Sequence, residues 1–501
     1  MALARLISRG QAGLDAYEVS VEVHISGGLP GFAIVGLPTP AVRESRERVR
    51  AAILNSGLEF PSSRITANLG PADIPKDGGR FDLALALGII EAGRKERRRR
   101  WQLDEIEFVG ELALGGELRP VTGIVPAALA ARAARRRLIV PEANAAEAGL
   151  VPGIDASTAR RLNDVGAALD GEGTLSAVEA RPLTAGPVPL PSLDDVKGHA
   201  GAKRALAVAA AGDHNLLMIG PPGSGKSMLA VRLRSLLPAL SDDELLAVAS
   251  IASVAGDDSV LKGGRARPYR APHHTTRAAA LVGGGQHPKP GEISLAHHGV
   301  LFLDELPEFS RAALEALREP LETGRVAISR LGHRIDFPAR FQLIAAMNPC
   351  PCGFLGDGTD RCQCGAGRVG QYRSRISGPL LDRFDLHIEV PRVPYAELAA
   401  EPSDPGGEAL GLMVARARQR QLARGELNAR LGERAVFEHV ELDRAASRLL
   451  AEAQEHWQLS ARSVVRILKV ARSLADLTGA AQPGVAELSE ALQLRRLDRS
   501  R

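Results

Sequence analysis

Short apolar runs that end in polar residues recur in the middle of the chain. Three of them are Leu216–Ile219, Val300–Leu303 and residues 343–347. Runs that are continuously apolar are typical of strands buried on both faces of a parallel sheet. Parallel strands deliver the groups that follow them to one edge of the sheet. The pattern therefore predicts an α/β fold in which Gly220, Asp304 and Asn348 converge.

The patterns on either side of this region predict separate domains. Residues 1–180 combine strand-like pieces with a charged helical pattern, which predicts an α+β domain; the pieces lie at 19–25, 32–35, 41–56 and 106–109. Prolines at 181–192 predict a stiff linker to a core at 193–392. Helical patterns dominate residues 393–501, notably at 412–433 and 463–477, so we predict a helical lid at the carboxyl end.

The segment after the first apolar run fits the phosphate-binding pattern G-x-x-x-x-G-K-[ST]. It consists of Gly220, Pro221, Pro222, Gly223, Ser224, Gly225, Lys226 and Ser227. In such a loop backbone N–H groups turn toward phosphate oxygens, the lysine supplies a positive charge and the serine hydroxyl holds Mg²⁺. The apolar residues that follow predict a helix whose positive end faces the same phosphates. The sequence therefore predicts a site for ATP and Mg²⁺.

Further candidate catalytic residues follow the other apolar runs. Asp304 is predicted to hold Mg²⁺, and Glu305 to polarise the attacking water. Asn348 could orient that water against the γ-phosphate. Arg383 is placed to reach a neighbouring subunit's nucleotide, and Arg462 begins a basic helix. Arginines from a lid and from a second subunit suit phosphoryl transfer, because the reaction depends on positioning and charge neutralisation.

Composition narrows the cellular setting. The chain has 501 residues, of which 45% are hydrophobic and 24% charged, as in ordinary globular proteins. No apolar stretch approaches the ~20 residues that a membrane span needs, and residues 1–20 lack a signal-peptide core. We therefore expect a cytoplasmic protein without a membrane partner. The net charge of +4 permits a nucleic-acid partner but does not require one.

The four cysteines form two close pairs. They are Cys350 and Cys352, then Cys362 and Cys364 after nine intervening residues. Four thiolates so close in sequence can bind Zn²⁺ tetrahedrally. The C-x-C spacing is tighter than the usual C-x₂-C, so reduced free thiols remain an alternative.

Two basic segments could contact DNA phosphates. Residues 324–337 have the pattern of a β-hairpin whose tip carries Arg330, His333 and Arg334. Such a hairpin before the third apolar run could grip phosphates in a central pore, or it could lie on the surface. The charge run at 94–100 could likewise contact DNA or form a solvated loop.

Two histidine pairs lie in the sequence between residues 220–227, which we call the phosphate loop, and the carboxylates of Asp304 and Glu305. They are His273 with His274, and His297 with His298. Histidine pairs can bind metal, but we favour packing or hydrogen bonding for both.

Four motifs give the chain a specific family resemblance. They occupy residues 270–276, 291–306, 347–353 and 377–385. They resemble those of the ComM/YifB family of magnesium-chelatase-like AAA+ ATPases, and the resemblance runs essentially end to end. It implies an AAA+ P-loop domain with a helical lid. It also implies that Asn348 is a sensor, Arg383 an arginine finger and Arg462 the lid sensor. Arg466, one helical turn further on, is the alternative lid sensor.

The resemblance also implies a function. It suggests a homo-hexameric ring that hydrolyses ATP to drive branch migration of recombination intermediates in natural transformation, with branched or single-stranded DNA as its partner. The alternative is a remodelling subunit of magnesium-chelatase type, which uses ATP to act on a protein partner.

The amino-terminal domain resembles the proteolytic domain of Lon-type proteases. The resemblance lies in residues 75–80 and 110–116. That family has a serine nucleophile where Arg80 stands and a lysine where Val125 stands. Arginine cannot act as an acyl nucleophile and valine cannot act as a base. The resemblance thus implies a Lon-like fold that lacks the catalytic dyad.

Overall fold

The computed structural model describes residues 2–94, 101–180, 190–285, 288–330, 333–399 and 406–495. They form two compact units, Met1–Gly186 with Ser241–Arg265, and Pro187–Leu240 with Ala266–Arg501. Residues 241–265, which we predicted within the nucleotide-binding domain, thus lie in the first unit. Residues 181–189 of the predicted linker and 95–100 of the charge run fall outside the described residues.

The first unit is built on a mixed eight-stranded sheet. In spatial order its strands are Ser176–Ala177, Ala156–Ala159, Arg137–Pro141, Ile106–Phe108, Ala2–Ala12, Asp15–Ser26, Arg64–Gly70 and Gly31–Val35. A small hairpin pairs Glu111–Leu112 with Leu118–Arg119. The α-helices are Pro40–Asn55, Asp82–Gly93, Ile124–Ala133, Ala145–Ala148, Leu162–Asp170, Asp242–Ala255 and Ser259–Gly263, and the 3-10 helices are Gly79–Phe81, Leu103–Glu105 and Glu142–Asn144.

The core of this unit lies between the long antiparallel strands and a buried helix. Val19, Val21 and Val23 alternate toward the interior, as a period of two requires. The helix Asp82–Gly93 packs on them so closely that a Cβ on Gly88 would lie 2.7 Å from Val23 Cγ2. Glycine at this position therefore sets the distance between helix and sheet.

The helix Asp242–Ala255 belongs to this unit through specific hydrogen bonds. Ser241 caps it, because its hydroxyl accepts from the Glu244 N–H while the Glu244 carboxylate accepts from the Ser241 N–H. At its other end, Ser253 Oγ accepts a hydrogen bond from the Val125 N–H at 3.2 Å. The segment therefore docks at the start of the helix Ile124–Ala133.

The second unit contains the predicted parallel sheet, which confirms the α/β fold of this part of the chain. In spatial order its strands are Tyr269–Arg270, Val300–Leu303, Gln342–Met347, Leu216–Ile219 and Leu386–Glu389. Two hairpins accompany it, Gly283–Gly284 with Lys289–Pro290 and Arg325–Arg330 with His333–Pro338. Alternate residues of the strands pack into two different hydrophobic cores, one on each face of the sheet. Leu216 and Met218 belong to one core, and Leu217 belongs to the other. Burial on both faces explains the continuously apolar runs.

Helices cover both faces of this sheet and form the carboxyl-terminal region. The α-helices are Ala200–Gly212, Lys226–Leu236, Ala278–Val282, Glu292–Leu295, Arg311–Glu315, Arg318–Thr323, Ala366–Arg373, Gly378–Leu381, Tyr395–Ala399, Gly407–Ala423, Glu433–His439, Arg444–His456, Ala461–Thr478 and Val485–Gln493. The 3-10 helices are Leu193–Asp195, Leu306–Glu308 and Asn428–Arg430. Among the described helices, none has the length and apolar content that crossing a bilayer demands.

The carboxyl-terminal helices agree with the sequence pattern except at one boundary. The helix Ala461–Thr478 begins after Ser460, whose hydroxyl accepts from the Ser463 N–H, and ends at Gly479 with φ 82°. The helix predicted over 412–433 instead ends at Ala423. Gly425 adopts φ 119°, a left-handed conformation that cannot continue a helix.

Candidate functional site

The phosphate loop connects a central strand to a helix, as the pattern predicts. Residues 220–227 leave the strand Leu216–Ile219 and enter the helix Lys226–Leu236. Gly223 and Gly225 have φ values of 74° and 85°, and residues that carry a Cβ rarely adopt such values. A Cβ on Gly220 would lie 2.1 Å from the Val390 carbonyl oxygen. The glycines thus allow a tight loop beside the sheet.

Lys226 connects this loop to the end of the neighbouring strand. Its Nζ donates to the carbonyl oxygens of Gly220 at 2.7 Å and Pro221 at 2.9 Å, and reaches Asn348 Oδ1 at 3.4 Å. Burial lowers the pKa of Lys226, while the carboxylates of Asp304 and Glu305 oppose that shift. The ammonium group therefore lies among all three segments that the sequence predicted to converge.

The serine of the loop faces the first of the two carboxylates. Ser227 Oγ donates to Asp304 Oδ2 at 2.6 Å, and the Glu305 N–H donates to Asp304 Oδ1 at 2.9 Å. A hydroxyl and a carboxylate that lie next to each other supply the hard oxygen ligands that Mg²⁺ prefers. The side chains present thus fit Mg²⁺ next to a phosphate-binding loop.

Glu305 has a partner that the sequence did not reveal. Its Oε2 lies 3.1 Å from His274 Nδ1, and its backbone has φ 52°, which is rare for residues other than glycine. His274 follows the edge strand Tyr269–Arg270, which pairs in parallel with Val300–Leu303. The only signal in the sequence was a histidine soon after a short strand. The structure therefore gives His274 an ionic or hydrogen-bonding role.

In the second histidine pair, His297 is buried and His298 is partly exposed. His297 Nδ1 accepts a hydrogen bond from the Arg340 N–H at 2.9 Å, and burial lowers the pKa of His297 to about 2. His297 is thus a neutral residue that accepts a hydrogen bond from the backbone of Arg340. This contact agrees with the hydrogen-bonding interpretation.

Arg383 lies at the amino end of the parallel strands, whereas the phosphate loop lies at their carboxyl end. It precedes the strand Leu386–Glu389, whose Leu386 pairs with Leu216 and whose Glu389 pairs with Ile219. The phosphate loop begins after Ile219, so at least about 10 Å of strand separates the two positions. The structure therefore does not bring Arg383 together with Lys226 in one chain.

Arg462 and Arg466 line the same cleft as Arg383. Arg383, Arg462, Arg466 and Lys469 line one cleft of about 260 Å³. Arg383 pairs with Glu322, and burial together with Arg466 and Arg462 lowers the pKa of Arg383. Glu322 and Glu433 line the same cleft, so four cationic side chains meet two carboxylates there.

The two candidate lid sensors differ in their partners. Arg466 Nη1 lies 2.6 Å from Asp385 Oδ1. Burial opposes ionisation of Asp385, but Arg466 and His214 outweigh it and lower the pKa of that carboxyl. Arg466 is thus engaged in a buried ion pair. Arg462 lines the cleft at the start of its helix, so we retain Arg462 as the predicted sensor.

The predicted hairpin forms immediately before the strand Gln342–Met347. Arg325–Arg330 pairs antiparallel with His333–Pro338, and Arg334 Nε lies 3.0 Å from Asp336 Oδ1. Residues 331 and 332 at the turn fall outside the described residues. The hairpin is a separate two-stranded sheet with a basic sequence, and it precedes the strand that leads to Asn348.

The four cysteines converge on one point. All four Sγ atoms lie within 4.8 Å of one another, and none is in a disulfide. The Phe354 N–H and the neighbouring thiols lower the pKa of Cys352 to about 6. In the described parts of the chain, no other group of three or more histidine, cysteine or acidic ligands converges in this way. The cluster is compatible with a Zn²⁺ site.

Family models match most of the chain in three segments. The model described as magnesium chelatase, subunit ChlI, matches residues 192–398. The one described as subunit ChlI of Mg-chelatase matches 21–144, and the one described as the ChlI C-terminal segment matches 407–495.

Curated relatives match end to end. The chain is 46% identical to the uncharacterized protein YifB of Salmonella typhimurium, over 100% of this chain and 98% of the relative. It is also 46% identical to the competence protein ComM of Haemophilus influenzae, with the same coverage. An uncharacterized protein of Mycobacterium tuberculosis is 43% identical over 99% of both chains. A chloroplastic magnesium-chelatase subunit ChlI of rice is 30% identical over 24% of this chain.

Proposed function

This chain belongs to the magnesium-chelatase-like family that includes ComM and YifB, and on that premise we propose that it is an ATP-driven, ring-forming DNA motor. We further propose that it promotes branch migration of recombination intermediates in natural transformation. Haemophilus ComM, named a competence protein, supports a role with incoming DNA.

The carboxyl edge of the parallel sheet would carry the hydrolytic chemistry. Lys226 and the loop N–H groups would bind the β- and γ-phosphates, and Ser227 with Asp304 would hold Mg²⁺. When bound, Mg²⁺ neutralises phosphate charge. Glu305 would take the proton of the attacking water, His274 would position the Glu305 carboxylate, and Asn348 would orient the water.

The observation that carries the proposal is the separation of two sets of charged groups on one sheet. Lys226 and the carboxylates lie at the carboxyl ends of the parallel strands, whereas Arg383 lies at their amino ends. The separation exceeds what an arginine side chain spans. Arg383 and Arg462 would therefore act on the nucleotide of a neighbouring subunit. A head-to-tail contact of this kind generates a closed ring when its rotation closes, and we propose a homo-hexamer.

DNA would pass through the ring and contact the hairpin Arg325–Arg330 with His333–Pro338. Its basic residues suit phosphate oxygens, and contacts of this kind are independent of sequence. The net charge of +4 is compatible with this partner.

The DNA assignment is tested with a hairpin variant. Arg330→Ala combined with Arg334→Ala should abolish DNA-stimulated hydrolysis and leave basal hydrolysis intact, because the substitutions remove phosphate contacts and not the nucleotide site. The measurement is the ATP hydrolysis rate with no DNA, single strands, duplex and four-way junctions. Arg325→Ala, at the base of the same hairpin, is the matched control and should retain stimulation.

Salt supplies a second criterion for the same partner. DNA affinity should fall as salt rises, since phosphate contacts release counterions. A wild-type ATPase that ignores every DNA form would instead favour the chelatase-type remodelling subunit. The family models described as magnesium chelatase subunit ChlI support that alternative.

We also propose that the first unit has a Lon-type fold without protease activity. The Arg80 guanidinium donates to Gln11 Oε1 at 3.3 Å and to the Thr122 carbonyl oxygen at 3.1 Å, and burial lowers the pKa of Arg80 to about 10. Val125 is 1% exposed. A buried cation and a buried valine would stand where the protease dyad needs a nucleophile and a base.

A further inference from the structure

The loop that contains the four cysteines has no regular structure to support it. Residues 348–365, between the strand Gln342–Met347 and the helix Ala366–Arg373, contain no helix or strand. Loops of this length without secondary structure are uncommon unless they are functional or disordered. Yet Cys350 is fully buried at 0% exposure. Regular backbone pairing therefore does not hold this loop together, and near its start the Pro349 carbonyl oxygen accepts a hydrogen bond from Arg373 Nε at 3.4 Å.

The spacing of the thiols matches tetrahedral metal coordination. The Sγ atoms of Cys350 and Cys352 lie 3.4 Å apart, and each lies 3.8 and 3.7 Å, respectively, from Cys362 Sγ. A tetrahedron with Zn–S bonds of about 2.3 Å has sulfur atoms about 3.8 Å apart. Cys364 completes the set within the 4.8 Å limit. Four thiolates in a closed set are typical of structural Zn²⁺ sites.

The same loop packs directly on the phosphate loop. Gly353, one residue after Cys352, has φ 84°, and a Cβ there would lie 2.6 Å from Pro222 Cδ and 3.6 Å from Asn348 Cγ. The turn that forms this contact is closed by the Gly353 N–H, which donates to the Cys350 carbonyl oxygen at 3.0 Å. The cysteine cluster thus begins two residues after Asn348 and fixes a turn against the phosphate loop.

Side chains brace the far part of the loop independently of the thiols. Arg361 pairs with Asp357 at 2.7 Å and lies over the Phe354 ring, 4.4 Å from its centroid. The Arg361 side chain is partly exposed, whereas the Asp357 side chain is buried within the loop. They shape the loop between the cysteine pairs but do not join its two ends.

We propose that the four cysteines bind one Zn²⁺ and that this metal site holds the phosphate loop and Asn348 in their nucleotide-binding arrangement. The Zn²⁺ joins the two ends of the loop, and Gly353 transmits that constraint to Pro222. Loss of the metal therefore weakens nucleotide binding as well as the loop. This proposal does not depend on a DNA partner or on a ring.

The test measures metal content and nucleotide affinity separately. Wild-type protein purified without added chelator should contain about one Zn²⁺ per chain by elemental analysis. Cys362→Ser should lose the metal and bind a fluorescent ATP analogue about tenfold more weakly or worse. Gln363→Ser is the matched control, because Gln363 is exposed between two of the cysteines. It should keep both metal and affinity.

A second variant separates the coupling from the metal. Gly353→Ala keeps all four thiols but places a Cβ against Pro222, so it should retain Zn²⁺ and still lose nucleotide affinity. Wild-type protein without Zn²⁺, or with iron in its place, would overturn the metal assignment. Wild-type affinity in metal-free Cys362→Ser would overturn the coupling, and wild-type affinity in Gly353→Ala would remove the contact with Pro222 from it.

Discussion

Replacement of Lys226 by alanine is expected to abolish nucleotide binding. Lys226 Nζ lies between the phosphate loop and Asn348, and the side chain is only 8% exposed. Its charge would therefore act on phosphates in a poorly solvated place, where electrostatic contacts are strong. Loss of a buried charge contact costs about 3 kcal/mol or more, which weakens affinity at least about a hundredfold.

Equilibrium titration with a fluorescent ATP analogue measures this effect. Lys289→Ala removes the same charge from an exposed position in the same unit and should bind the analogue with wild-type affinity. Unchanged affinity in Lys226→Ala would mean that residues 220–227 do not hold phosphate.

Replacement of Glu305 by glutamine is expected to stop turnover and leave nucleotide binding intact. Glutamine has the shape of glutamate and can keep the contact with His274, but its amide cannot accept the proton of the attacking water. Ser227, Asp304 and Lys226 are untouched by the change. Because general-base catalysis typically contributes about 10²–10⁴-fold, the hydrolysis rate should fall by that factor.

Steady-state hydrolysis and nucleotide titration on the same preparation separate the two effects. Glu308→Gln is the matched control, since Glu308 lies three residues away and pairs with Arg375 at 2.9 Å. It should hydrolyse ATP at nearly the wild-type rate. Normal hydrolysis by Glu305→Gln would remove Glu305 from the mechanism.

The parts of the fold with a strong local signal could be predicted from sequence. The strands Leu216–Ile219 and Val300–Leu303 are buried on both faces, so their apolar runs are unbroken. Because parallel strands share an edge, this pattern was also enough to bring Lys226, Asp304 and Asn348 together. The cysteine cluster followed in the same way from short spacing along the chain.

Features that depend on long-range packing could not be predicted. The helix Asp242–Ala255 has an ordinary capped pattern, and nothing in it shows that Ser253 bonds Val125 in the first unit. The contact between His274 and Glu305 joins residues that follow two different strands. The clustering of Arg466 with Arg383 likewise depends on packing between the helix Ala461–Thr478 and residues far from it in sequence, such as Asp385.

In the proposed ring, hydrolysis takes place at sites shared between subunits. Arg383→Ala alone should be nearly inactive, because each nucleotide would lack the neighbour's arginine. Arg383→Ala subunits keep Lys226, and Lys226→Ala subunits keep Arg383. A mixed ring would therefore contain sites in which both residues are intact, although neither subunit carries both.

The most direct measurement is the basal ATP hydrolysis rate of equal mixtures of Lys226→Ala and Arg383→Ala protein, with mixed assembly verified by mass. Random assembly gives a complete site at about one quarter of the interfaces in a ring. We therefore expect the mixture to recover about a quarter of wild-type activity, whereas each variant alone stays inactive. An inactive mixture, or an Arg383→Ala protein with wild-type activity on its own, would contradict it.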